Sequence, residues 1–392
     1  MSDIVRIIHG ADFHLDAKPP SWLNASDALQ RAEERFETFT RVMDMTRENE
    51  AELVLIPGDL FETEHVRRGT ILRIIEKFEE LDPIHVLIAP GNHDPWGAES
   101  PYEVFRWPEN VHIFPGGWSQ WRFPKRRCMV SGFGWDRAEI SAPLLQQCPN
   151  VEEEMTHIIL IHGDLLPVQG KSRYLPITKE DLESCAADYI AIGHIHRAEP
   201  EQEGKLEQPW MNPGAVEPLD FGDAEKLRGV VIGNAGEDVS QLALETLEPS
   251  REFRIRTVDI SGSRHTGDTA EKIYESVPPE QRERDFFRIK LVGQLDPDMD
   301  FAADEIEALL EDRFYCLHLI DETRPKYDLE ALGKENGFRG EFVREMQNRI
   351  SATDDESEKK KIEKAVELGL AAMDGRDVNR KIRGIISSLR PQ

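Results

Sequence analysis

The sequence predicts an α/β domain on a parallel or mixed sheet, followed by a small α+β module and a charged helical segment. Three observations predict it. Five short apolar runs each lead into a cluster of polar, metal-competent residues. Apolar residues at helical spacing fill the intervals between the first three runs. After Gly262 the pattern changes to single strands alternating with helices, and after Asp328 to charged helices.

The runs are 5–9 before Asp12 and His14, 53–56 before Asp59, and 86–89 before Asn92, His93 and Asp94. Residues 158–161 then precede His162 and Asp164, and 189–192 precede His194 and His196. Short Val/Ile/Leu runs ending near Gly read as buried strands meeting a turn. Leu29, Phe36, Phe39 and Met43 recur at helical spacing in the first interval. Ile71, Ile74, Ile75, Phe78 and Leu81 do so in the second. Strand–helix–strand–helix–strand is the signature of a sheet with covering helices, whose ligands gather beyond the carboxyl ends of the strands. All five clusters fall there. Periodicity alone gives an α/β domain with a site at one edge.

Residues 111–135 and 229–260 read as short strands with Gly and Pro turns. A helix is expected at 268–277, a strand at 286–292, a helix at 301–314 and a strand at 316–320. The expected domains are 1–262, 263–330 and a partner-binding helical segment at 331–392. The last segment has too few apolar residues to bury much alone, so it either folds against the small module or docks on a partner.

The chain has 392 residues, with 75 acidic against 48 basic side chains and a formal net charge of −27. That charge favours solubility and repels phosphate at long range, so a phosphate-rich partner must be met by local basic patches or bound metal. No stretch approaches the roughly 20 apolar residues that span a bilayer, so no membrane association is expected. The N-terminus reads as a strand and not as a signal peptide. Cys128, Cys148, Cys185 and Cys316 lie far apart without a C-x-x-C pair, as in a reduced, cytoplasmic protein.

Seven candidate metal ligands emerge: Asp12, His14, Asp59, Asn92, His162, His194 and His196. Carboxylate, imidazole and amide oxygen suit Mn²⁺, Fe²⁺ or Zn²⁺, and thiolate-seeking metals would call for cysteine. Seven ligands exceed the needs of one ion with open positions. Two ions about 3.5–4 Å apart, bridged by Asp59, would clamp the attacking and leaving oxygens of a phosphate ester. His93, not needed as a ligand, could protonate the departing oxygen, with Asp94 orienting its ring. Asp164 either orients His162 or caps a helix. Of the other histidines, His9 reads as a core or supporting residue, and His65 could face substrate.

Asp-x-His at 12–14, Gly-Asp-Leu-Phe at 58–61, Gly-Asn-His-Asp at 91–94, His-Gly-Asp at 162–164 and Gly-His-Ile-His at 193–196 resemble the calcineurin-like metallophosphoesterase signature. Their order and wording are most similar to its DNA-repair nuclease branch, of SbcD and YhaO type. The resemblance spans about residues 4–260 by motif and the remainder by architecture.

It implies a metallophosphoesterase β-sandwich with flanking helices, then a small α+β capping domain and C-terminal helices. It implies one ion on Asp12, His14, Asp59 and His196, and a second on Asp59, Asn92, His162 and His194. It implies Mn²⁺ as the metal, His93 as the catalytic histidine, and hydrolysis of DNA as an exonuclease, with endonuclease activity also open, by a hydroxide activated between two metals. The implied partners are DNA, an SbcC-like or YhaN-like ABC-type ATPase with a coiled coil docked on the C-terminal helices, and a second copy in a homodimer. Arg67 with Arg68, and Lys125 with Arg126 and Arg127, are candidate phosphate contacts for DNA. The alternative is hydrolysis of nucleotides or other small phosphoesters at the same site. Two departures from the pattern stand out: Glu62-Thr-Glu-His65 follows Gly-Asp-Leu-Phe without the usual Asp or His and proline, and Ala215 replaces Ser in the Pro-Gly-Ser stretch.

Overall fold

The computed structural model describes residues 4–123, 125–152, 154–167, 170–236, 239–296 and 302–375. Residues 376–392, the end of the expected partner-binding segment, lie outside them, as does Phe301 at the start of an expected helix. The chain divides into two compact units, Met1–Phe253 and Arg254–Gln392.

The first unit holds fourteen strands among the described residues. They are β1 (Val5–His9), β2 (Leu53–Ile56), β3 (His85–Ile88), β4 (Val111–Ile113), β5 (Gly117–Phe123), β6 (Cys128–Gly134) and β7 (Thr156–His162). Then follow β8 (Asp164–Leu166), β9 (Pro176–Thr178), β10 (Tyr189–Gly193), β11 (Gly204–Lys205), β12 (Trp210–Met211), β13 (Gly229–Ala235) and β14 (Leu242–Thr246). One sheet has the order β11-β14-β13-β1-β2-β3-β4, and a second has β12-β10-β7-β6-β5. β1 to β4 run parallel, as do β6, β7, β10 and β12, so each sheet gathers several carboxyl ends on one edge.

Strand side chains alternate between faces, and the alternation sorts the core. Ile7, Leu53, Leu55 and Leu87 pack with Val130, Ile158, Leu160 and Tyr189 between the two sheets. Their neighbours Ile8, Val54, Ile56, Val86 and Ile88 meet Phe36, Phe39 and Met43 of helix α1 (Ala25–Glu48) and Ile71, Ile74 and Phe78 of helix α2 (Arg68–Glu80). On the far side, Ile159, Ile161, Ile190 and Ile192 pack with Trp135, Leu175, Ile177 and Leu182. The result is the expected β-sandwich with flanking helices. Leu29 departs from the periodicity: it is 64% exposed on α1, and the inward stripe of the helix begins beyond it. Its place on the buried face is taken by Arg31, paired with buried Glu217 at 2.8 Å.

In the second unit, β15 (Phe253–Asp259), β16 (Phe286–Val292) and β18 (Cys316–Asp321) form a sheet, and β17 (Gln294–Leu295) pairs with β19 (Arg324–Pro325). β15 was expected to close the first domain at 262. It pairs with β16 instead, because Val258 and Ile260 complete the small core of Ile273, Phe287, Ile289, Ile306, Leu310 and Leu319. The helices Leu329–Gly333, Phe338–Ala352 and Glu356–Met373 share a separate core around Val343, Val366 and Leu370, which Tyr327 also joins. Among the described residues no helix is long and apolar enough to cross a membrane.

Candidate metal centre

The strand ends place the ligands by leaving regular geometry abruptly. Asp12, His14, Asp59 and His194 all have positive φ, at 52°, 45°, 54° and 114°. Non-glycine residues rarely adopt this region, and each costs on the order of 1–3 kcal/mol, held by the surrounding structure. Two glycines make the crossing of loops possible. A Cβ on Gly58 would stand 2.5 Å from His162 Nδ1, and one on Gly91 would stand 2.3 Å from Asp59 Oδ1. The loops of both sheets therefore converge only because these side chains are absent.

Three groups of donors result among the described residues: one, His14, Glu62 and His93, lies at the rim, and the other two hold the expected ligands. Of these two, Asp12, His14 and His196 form the first, and Asp59, His162 and His194 the second, each with ligand atoms within 4.8 Å of one another. His14 Nε2 lies 3.1 Å from His196 Nε2. Asn92 Oδ1 lies 2.8 Å from His162 Nε2 and 3.2 Å from His194 Nδ1, which puts it in the second group. Asp59 Oδ2 stands between the groups, 3.6 Å from His14 Nε2 and 3.3 Å from His162 Nε2. All seven sequence-predicted ligands thus meet at one place. Carboxylate, imidazole and amide oxygen without thiolate are donors that fit a hard or borderline divalent cation.

The outer nitrogens are engaged. His14 Nδ1 bonds Glu62 Oε1 at 2.7 Å, His162 Nδ1 bonds the Pro57 carbonyl at 2.9 Å, and His196 Nδ1 bonds Asp223 Oδ2 at 2.9 Å. Such partners fix the tautomer and aim the other nitrogen inward. Asp164 belongs to β8, and the partner of His162 is the Pro57 carbonyl, so neither role expected for Asp164 is realised. Asn212 secures the loop of His196 by donating to the carbonyls of Ile195 and Arg197 at 2.6 and 2.8 Å.

Charge is crowded here. Burial would raise Asp59, but the imidazoles of His162, His14 and His93 hold its carboxyl far below the usual range. Burial raises Asp12. Burial also opposes His162, yet Asp59 beside it lifts the imidazole to about 9. His194, buried next to His162, falls to about 3. A cation bound here would compete with protons for the same groups.

Asp94 has a different task from the one expected of it. Asp94 is fully buried, and its carboxylate accepts hydrogen bonds from Asp59 N, Leu60 N, Gly91 N and Tyr102 Oη at 3.0, 2.7, 2.6 and 2.7 Å. It ties two ligand loops together and does not orient His93. That role falls to Glu62, whose Oε2 lies 2.8 Å from His93 Nδ1. The hydrogen bond to Glu62 lifts His93 to about 9, and Glu62 falls to about 2 because the bonds from His14 and His93 outweigh its burial.

The basic patches divide. Lys125, Arg126 and Arg127 precede β6, whose seven residues separate them by roughly 20 Å from the edge where the donors gather. Arg126 pairs with Glu52 at 3.0 Å, and Arg127 pairs with Glu154. This patch is a brace at the opposite edge. Arg67 lies on the site side, but its guanidinium is bound to Asp16. Arg68 is exposed beside the Phe105 ring. His65 is exposed, and His9 is buried with Nδ1 2.8 Å from Tyr189 Oη.

Sequence reasoning missed Glu62 and Asp223 as site residues. The first had a signal, since it occupies the position where the motif departs from its pattern. The second had none, since Asp223 sits in a short turn, Phe221–Asp223, with no motif around it.

Residues 5–198 match the family described as calcineurin-like phosphoesterase. The chain is 31% identical over 198 residues to the uncharacterized metallophosphoesterase YhaO of Bacillus subtilis, covering 48% of each protein. It is 27% identical over 294 residues to the DNA double-strand break repair protein Mre11 of Methanopyrus kandleri, covering 66% of this chain and 60% of that relative. The matches thus span from about half to three fifths of these relatives' lengths.

Proposed function

We propose, from the match of residues 5–198 to the calcineurin-like phosphoesterase family, that the protein is a manganese-dependent DNA nuclease acting in DNA repair. The observation that carries this reading is the His93 imidazole. It is 44% exposed, packed against the His14 ring at 4.9 Å, and held by Glu62 beside the buried donors. Similarity to the double-strand break repair relative, over residues well beyond the phosphoesterase domain, supports DNA as the substrate.

Asp12, His14, Asp59 and His196 would hold one divalent ion, and Asp59, Asn92, His162 and His194 a second. Two such ions supply an activated water for attack on phosphorus and neutralise charge on the phosphate oxygens. Glu62 accepts from Nδ1 of His93, which leaves Nε2 to carry the proton for the departing sugar oxygen. The Glu62 carboxylate favours the protonated imidazole, the form a general acid requires. Asp94 and Tyr102 keep the loops of Asp59 and Asn92 in register.

The second unit fits an adaptor role. Its C-terminal helices, with Phe338 76% exposed, would dock an SbcC-like or YhaN-like ABC-type ATPase, and the first unit would pair with a second copy. The net charge of −27 favours a second reading, hydrolysis of nucleotides or other small phosphoesters.

The test is hydrolysis of linear duplex and single-stranded DNA with Mn²⁺, beside a nucleotide panel, using wild type and His93→Ala. DNA degradation lost in the variant supports the nuclease. Turnover confined to small esters moves the protein to the second reading.

A further inference from the structure

Asp223 lies beyond the residues that match the phosphoesterase family, yet it touches the metal centre. Its Oδ2 takes His196 Nδ1 at 2.9 Å and the Leu219 amide at 3.1 Å, and its Oδ1 takes Lys226 Nζ at 3.0 Å. Its carbonyl accepts from Arg228 Nη2 at 2.6 Å, and Arg228 is itself paired with buried Glu252 at 2.9 Å. The side chain is 8% exposed, so it cannot swing away to solvent. A carboxylate held by Leu219 and Lys226, on a backbone held by Arg228, is a rigid stop for the imidazole that leans on it.

The two donor groups are not backed alike. His14 and His196, in the first, each lean on a carboxylate, Glu62 and Asp223. His162, in the second, leans on the neutral Pro57 carbonyl, and His194 offers Nδ1 itself toward Asn92. A carboxylate behind an imidazole makes the inward nitrogen a stronger donor than a carbonyl does.

We propose that Asp223 is a positioning residue that makes the Asp12, His14 and His196 position the tighter of two unequal metal positions. The inference rests on the metal-centre reading and not on DNA as the substrate. Replacing such an outer partner costs about 10–100-fold in metal affinity.

The experiment is calorimetric titration of the metal-free full chain with Mn²⁺, with Mn²⁺ EPR to count bound and spin-coupled ions. Wild type should show a tight and a weaker binding event. Asp223→Asn should weaken the tight event at least tenfold and leave the weaker one in place. If wild type binds two ions and Asp223→Asn gives the same isotherm, the inference fails while the metal reading stands. If wild type binds no ion, the metal reading fails with it. A double-mutant cycle separates positioning from folding: in a His196→Ala background, Asp223→Asn should cost no further affinity. An equal loss in both backgrounds would overturn the proposal, because Asp223 would then act without His196. Should Asp223→Asn unfold, Asp223→Glu, which keeps the charge, must retain the tight event for the proposal to survive.

Discussion

Glu62 joins two histidines with different tasks: Oε2 lies 2.8 Å from His93 Nδ1, and Oε1 lies 2.7 Å from His14 Nδ1. One carboxylate thereby sets the orientation of a candidate metal ligand and of the candidate proton donor. Glu62→Ala is expected to lower kcat on bis-p-nitrophenyl phosphate by about 10–100-fold with a smaller change in KM. Steady-state kinetics at saturating Mn²⁺ checks it, and an unchanged kcat would remove Glu62 from the mechanism.

Asp59 stands between the two donor groups, so its loss should reach both. Asp59→Ala is expected to bind neither ion tightly, with metal content after gel filtration falling below one ion per chain. Retention of two ions would show that the groups are independent.

Asp94 is the common acceptor for three backbone amides and the Tyr102 hydroxyl. Asp94→Ala leaves those buried donors unpaired, at about 1–3 kcal/mol for each. Urea unfolding of the metal-free protein should show a loss of about 3 kcal/mol or more. A loss under 1 kcal/mol would mean that the loops hold themselves.

His9 gives a pH prediction away from the ligands. Burial depresses its folded value from 6.5 to about 3. Below pH 6.5 the unfolded chain gains a proton that the folded chain refuses, so stability falls with pH, by up to about 1.4 kcal/mol per unit. His9→Phe should unfold with a shallower pH dependence between pH 6.5 and 5. Parallel slopes for the two proteins would place the acid sensitivity elsewhere.

The C-terminal core sets where a truncation must fall. Leu332 packs with Val343 and Val366, so a cut at 334 would strand the helix Leu329–Gly333, and a cut after Lys326 removes the core whole. The shortened chain should keep hydrolysis of small esters and lose association with the proposed ATPase partner. Continued co-purification would refute docking through these helices.

The ligands were legible because each follows a buried strand, and strands that run parallel bring their ends together whatever the intervening sequence. The same rule, applied in reverse, would have placed Lys125, Arg126 and Arg127 correctly: they precede β6, so they sit at the other edge. Asp94 was misread because adjacency in sequence says nothing about direction; its side chain turns inward to amides while that of His93 turns out. Asp223 could not be read at all, since no motif marks the turn that brings its carboxylate back against His196, twenty-seven positions earlier. Leu29 shows the limit of periodicity, which marks a helix well and its buried arc poorly.

The donors come from both halves of the sandwich: Asp12, His14, Asp59 and Asn92 follow strands of the first sheet, while in the second His162 ends β7 and His194 and His196 follow β10. A cation held among them acts as a rivet through two layers. Neither sheet alone offers a full set, so metal affinity should be absent from any half-assembled chain and should arrive together with docking of the sheets. The ion then stabilises only the finished sandwich, by RT ln(1 + [L]/Kd). Metal supply would set how long the closed form persists as well as whether it reacts.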